Sequence, residues 1–102
     1  MEQVAVIHTA FEDSPSTVAF VNVKEDMTLS EKLEYAYRWT QNIFDSWSLN
    51  MPEDGNEDVT VMGDISDGYG LRSTSVGDQM LVGTEKYVVA PMGFETLEGE
   101  PV

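Results

Sequence analysis

The run Arg72-Ser73-Thr74-Ser75 sets one of the chain's few bases beside three hydroxyls, just ahead of Val76-Gly77-Asp78. Hydroxyls, backbone amides and a guanidinium can together hold a phosphate or a carboxylate. On that reading Arg72, Ser73, Thr74 and Ser75 centre a small-ligand or nucleotide-binding module. The same residues also suit a structural turn. Arg72 then pairs with a nearby acid, and the hydroxyls satisfy turn amides before Gly77-Asp78 leads into a hairpin. The structural turn is the preferred of the two readings.

Other catalytic chemistry is hard to build. His8 is the only histidine and falls in a strand-like segment, where a satisfied half-buried ring is the expectation. Ser73, Ser75 and Asp78 with His8 have no spacing that recommends a triad, and no G-x-S-x-G elbow is present. There is no Cys, hence no disulfide, thiolate zinc site or cysteine nucleophile. Glu53-Asp54-Gly55-Asn56-Glu57-Asp58 is rich in oxygen ligands but departs from the D-x-[DN]-x-[DN]-G calcium loop. No phosphate-cradling glycine motif occurs. The expectation is a chain that is not an enzyme, with no catalytic residue, metal or cofactor.

Charge is the strongest signal. The 102 residues carry 19 Asp and Glu against 5 Lys and Arg, a formal net charge of -14. Between Arg38 and Arg72 there is no base, while Asp45, Glu53, Asp54, Glu57, Asp58, Asp64 and Asp67 all fall there. Direct binding of DNA or RNA needs clustered Lys and Arg, which this chain lacks. An anionic membrane surface is disfavoured for the same reason. A solvated loop or a high-salt environment would also account for the acids. The sharper reading is mimicry of DNA: duplex DNA carries a charge every ~1.7 Å of axis, and carboxylates at like spacing can fill a basic groove.

Elements must hold these groups in place. With 41% apolar residues and 10% aromatics the chain can form a core, and its length fits one domain. QVAVIHTAF (3–11) and TVAFVNV (17–23) read as strands joined through turn residues around Pro15. Thr28-Leu29-Ser30-Glu31 has the capping-box form. Leu29, Leu33, Ala36, Thr40 and Ile43 then make one stripe of a helix over about 29–44. Tyr35 and Trp39 lie off that stripe, as flank residues or as an exposed contact patch. Residues 45–58 read as a loop and 59–62 as a short strand. A hairpin follows over 79–82 and 86–90, turning at Gly83-Thr84. The order ββαβββ predicts an α+β domain over 1–94: a mainly antiparallel sheet of about five strands with one main helix on one face. Residues 95–102 read as a frayed acidic tail. No apolar run is long enough to span a membrane and no basic leader opens the chain, so a soluble, unexported protein is expected.

The segment LRSTSVGDQMLVGTEKYVVAPMGF (71–94) resembles an R-S-x-S-V-G-D, short strand, turn, Y-x-V, G-F pattern of small accessory proteins of phages and plasmids. The carboxy-terminal part of YodL-like domains is similar. The helix bearing Tyr37, Trp39, Thr40, Asn42 and Trp47 resembles a region of such phage proteins as well. Together these stretches cover about half the chain. The group has no settled activity to carry over. The resemblance implies a phage or mobile-element source and action inside a bacterial cytoplasm.

The reading that follows is an acidic phage-type inhibitor that engages the basic, nucleic-acid-binding surface of a host protein, in the manner of anti-restriction or anti-CRISPR proteins. Glu53, Asp54, Glu57, Asp58, Asp64 and Asp67 would form its charge array, with Tyr35 and Trp39 as apolar anchors. A homodimer is compatible with this reading. The alternatives are the small-ligand module at Arg72–Ser75 and a phage assembly subunit.

Overall fold

The computed structural model describes residues 2–42, 47–48, 58–63 and 70–102. In chain order these form β1 (Glu2–His8), β2 (Ser16–Val23), α1 (Leu29–Arg38), β3 (Val59–Val61), β4 (Gln79–Val82), β5 (Glu85–Val89) and β6 (Phe94–Thr96). The strands make one antiparallel sheet in the order β3-β2-β1-β4-β5-β6. The fold is α+β, as the element order predicts, with six strands where about five were expected.

Register places the core. Val4 stands opposite Val21 and Val82, and Val6 opposite Ala19 and Met80. Cross-strand partners share a face, so these side chains form one apolar layer. Leu33 and Ala36 of α1 close over it, with Trp47 and Phe94. Burying each large apolar side chain in that layer contributes ~1.5–3 kcal/mol. β1 is central, and this explains its near-continuous apolar run: Val4, Ala5, Val6 and Ile7 are all buried.

The helix begins as its capping box requires. The Glu31 amide donates to Thr28 Oγ1 (3.2 Å), and the Thr28 amide donates to Glu31 Oε1 (2.8 Å). It ends earlier than the stripe predicts, at Arg38 with Trp39 as C-cap. The Thr40 hydroxyl donates back to the carbonyls of Ala36 (2.9 Å) and Tyr37 (3.2 Å) and the chain leaves the axis there. Ile43 and Phe44 lie outside the described residues.

The carboxy-terminal residues also differ from the expected tail. Phe94–Thr96 pairs with β5. The chain then turns back on this edge: the Thr96 amide donates to Glu100 O (2.8 Å) and the Val102 amide to Phe94 O (3.0 Å). Gly93 at φ 87° and Gly99 at φ 89° supply the two left-handed positions these turns need. The acidic composition concealed a strand because Phe94 is its single core contact. Among the described residues no helix is long and apolar enough to cross a membrane.

Candidate functional site

Arg72, Ser73, Thr74 and Ser75 lie in a segment without regular secondary structure, between the end of α1, the end of β1 and the start of β4. Asp78 organises it. The Asp78 side chain is fully buried, and Oδ1 accepts the amides of Thr9 (2.9 Å) and Ala10 (3.0 Å) while Oδ2 accepts the Ser75 amide (2.8 Å). Arg72 meets the same carboxylate with two prongs, Nη1 to Oδ2 at 2.7 Å and Nη2 to Oδ1 at 2.8 Å. It grips Glu12 with two more, Nε to Oε2 at 3.0 Å and Nη2 to Oε1 at 2.8 Å. Nη1 also donates to Ser73 O (2.9 Å), and the Phe11 ring centroid lies 4.9 Å from the guanidinium carbon.

These contacts set the charges. Burial pushes the Asp78 carboxyl upward, yet Arg72 and the amides of Ala10, Ser75 and Thr9 outweigh it and hold the pKa down to about 2. Hydrogen bonds to Asp78, then to Glu12, raise Arg72 further above its ordinary value. The Arg72 hydrogen bond lowers Glu12. All five guanidinium N–H groups are directed at acceptors within the chain. An anionic ligand here would have to displace Glu12.

The hydroxyls are similarly engaged. Ser73 Oγ accepts the Asn42 amide (2.8 Å), and Ser75 Oγ donates to Ser73 O (3.3 Å). Thr74 Oγ1 donates to Thr40 Oγ1 (2.7 Å), and His8 Nε2 stands 3.0 Å from Thr74 Oγ1. Thr40 donates onward to Ala36 O. With each hydroxyl proton directed away from His8, the ring must donate through Nε2. Burial lowers the His8 pKa, against a partly compensating field from Asp78. Asp78 Oδ2 is 4.0 Å from that same Nε2. A triad needs the acid on the far ring nitrogen and an accessible nucleophile. Here acid and hydroxyl face one nitrogen, and Thr74 is buried. The arrangement does not make a nucleophile–base relay.

Two neighbours were missed by sequence reasoning. Glu12 lies sixty positions from Arg72, with no pattern linking them. Trp47 donates Nε1 to Arg72 O (2.8 Å) and stands edge-on to His8, with ring centroids 6.5 Å apart. Asp78 was visible as a turn residue and as the acid of an unsupported triad, not as the hub of this network.

Of the proposed charge array, Glu53, Asp54, Glu57, Asp64 and Asp67 lie outside the described residues. Asp58 is half-buried and accepts a hydrogen bond from Tyr35 Oη (2.8 Å). Tyr35 and Trp39 lie with ring centroids 6.4 Å apart, half-buried, and pack against the core edge. The structure thus brings Asp58 to the flank of α1 beside Tyr35. Among the described residues no cluster of His, Cys, Asp or Glu could hold a metal ion. No family model, curated protein or solved structure matches this chain.

Proposed function

We propose that this chain is a non-enzymatic acidic inhibitor of phage type, which occupies the basic nucleic-acid-binding surface of a host protein as a DNA mimic. The observation that carries the reading is one-sided charge. The net charge is -14, and among the described residues Lys32 is engaged by Glu2, and Arg72 by Glu12 and Asp78. Exposed acids such as Glu25, Asp26, Glu31 and Glu34 follow one another along the approach to α1 and its outer side. Such a field attracts a basic partner over a Debye length, about 8 Å at physiological salt, and speeds association.

The experiment is capture from a bacterial lysate on the immobilised chain with stepwise salt elution, followed by competition. A captured protein that loses its DNA or RNA when the chain is added supports the reading. Captured proteins that keep their nucleic acid at saturating chain overturn it.

A further inference from the structure

One end of the sheet gathers the turns after β1 and β5 and the loop before β4. Antiparallel pairing brings them together, since Ile7 stands opposite Gln79, Gln79 opposite Val88, and Val89 opposite Phe94. Each of these three segments raises an apolar side chain into solvent: Phe11 is 74% exposed, Val76 50% and Met92 94%. A lone exposed apolar residue is ordinary, whereas several at one end of a sheet mark an interaction surface. Beside Val76 and the Pro91–Gly93 turn lies a cavity of about 390 Å³. Tyr37, Val76, Val89 and Phe94 wall it, and the exposed Glu34 contributes a carboxylate. Tyr37 and Phe94 meet edge to face, with centroids 6.1 Å apart at 81°.

We infer that this end is a docking surface for a protein segment that presents one aromatic side chain flanked by Lys or Arg. The cavity takes the ring against the Tyr37–Phe94 wall beside Val76, with the exposed Met92 on the adjoining turn, and Glu34 meets a flanking base. The inference rests on the basic-partner reading and adds where the apolar anchor of that contact sits. Charge selects the occupant. A second copy of this chain would bring -14 against -14, whereas a basic segment is attracted. Arg38 also borders the cavity and keeps its charge, its guanidinium carbon 5.8 Å from the Trp39 ring centroid in cation–π range, so the attraction of a basic segment comes from the field of the whole chain and not from the cavity rim alone. The surface is preorganised. Asp78 ties the 72–78 loop to Thr9 and Ala10, and the Ala90 amide donates to Gly93 O (2.9 Å) across the last turn. A contact formed on fixed loops loses less conformational freedom on binding.

The test is amide chemical-shift titration of the full chain, at low salt, with two capped peptides, Lys-Lys-Phe-Lys-Lys and Lys-Lys-Gly-Lys-Lys. The expected result is that the Phe peptide shifts the amides of residues 76, 89, 90 and 92–94, and binds at least about tenfold tighter than the Gly peptide, a step of ~1.4 kcal/mol. Val76→Asp separates the contributions, because it adds negative charge while removing an apolar wall. It should weaken the Phe peptide and leave or slightly tighten the Gly peptide. Met92→Asp, at a still more exposed position, should act in the same direction, with both folds checked by thermal melting. Equal binding of the two peptides, or tighter Phe-peptide binding by Val76→Asp, overturns the anchor and leaves the basic-partner reading standing. Failure of both peptides to bind overturns the anchor and counts against that reading too. Shifts at this end that depend on protein concentration without peptide would make it a self-interface and overturn the inference.

Discussion

Arg72 and Asp78 form a two-pronged ion pair, at 2.7 and 2.8 Å, in which the carboxylate is fully buried and the guanidinium remains 28% exposed. The pair joins two loops that the sheet alone would leave separate, because Asp78 also holds the amides of Thr9, Ala10 and Ser75. Its chemistry is that of a lock, since the acceptors it faces come from the chain itself.

Arg72→Ala should therefore act on stability. Removing one member of a buried pair typically costs ~3–5 kcal/mol, and the partial exposure of Arg72 sets the expectation near the lower end. Asp78→Ala should cost more, because it strands three amides as well as the guanidinium. Arg72→Lys should recover only part, since an ammonium cannot reproduce the fork. Urea unfolding of the three variants gives the order. Calorimetric titration with nucleotides is the companion measurement. Binding by the wild type that Arg72→Ala abolishes would move the site from lock to ligand pocket.

Stability should fall in two steps as the pH is lowered. Burial depresses the folded-state pKa of His8 below 6.5, so the unfolded chain takes up that proton first. Stability is then full above about 6.5 and declines as pH falls from there towards the lower folded value. The second step belongs to Asp78, whose folded value of about 2 lies below its ordinary 3.8. Its contribution is present above about 4 and is lost as pH falls towards 2. Glu12, also depressed, adds to the second step in the same direction. Denaturant midpoints from pH 7.5 to 2 should show both steps, and His8→Gln should remove the first alone. A first step that persists in His8→Gln would assign it to another group.

Gly77→Ala should weaken the same lock from the other side. Gly77 sits at φ 97°, and a Cβ there would meet the Ala10 Cβ at 3.1 Å. A left-handed conformation alone costs an L-residue ~1–2 kcal/mol. The neighbouring Ala10 amide is one of the Asp78 donors, so the crowding bears on the network directly. The expected loss is larger than for Gly83→Ala, where φ is 63° and the added Cβ meets nothing. Parallel thermal melts of the two variants provide the comparison.

The parts legible in sequence were those with local patterns. The β-branched runs around Val4–Ile7 and Val18–Val21, the Thr28–Glu31 box and the hairpin turning at Gly83 each carry their signal within a few residues. Leu33 and Ala36 were readable as core from spacing alone. Thr40 shared that spacing, but its buried hydroxyl stops the helix and joins the Thr74–His8 chain, which apolar periodicity cannot express. Trp47 carries no local signal of its contact either, since its indole bonds Arg72 O across the fold. The Arg72 turn chemistry was visible, but Glu12 was not, because a partner sixty positions away is chosen by sheet topology and not by local pattern.

The acidic stretch should act as an array and not through one carboxylate. Seven acids lie between Arg38 and Arg72 without a base among them, and Asp58, the described one, is tethered by Tyr35. An exposed carboxylate contributes ~0.2–1 kcal/mol to a contact with a charged partner. Asp58→Asn, which keeps an acceptor for Tyr35, should then weaken binding to a basic target by less than about tenfold, a step of ~1.4 kcal/mol. Changing Glu53, Asp54, Glu57 and Asp58 together to their amides should weaken it far more, and mainly through slower association, because the long-range field sets the encounter rate. Both losses should shrink as salt rises, since screening removes the field the acids share. Association and dissociation rates of the two variants, at low and high salt, against a target captured from lysate make the measurement. An unchanged association rate in the fourfold variant would reduce this stretch to a solvated loop. The contact would then have to lie at the Phe11–Val76–Met92 end or along Tyr35 and Trp39.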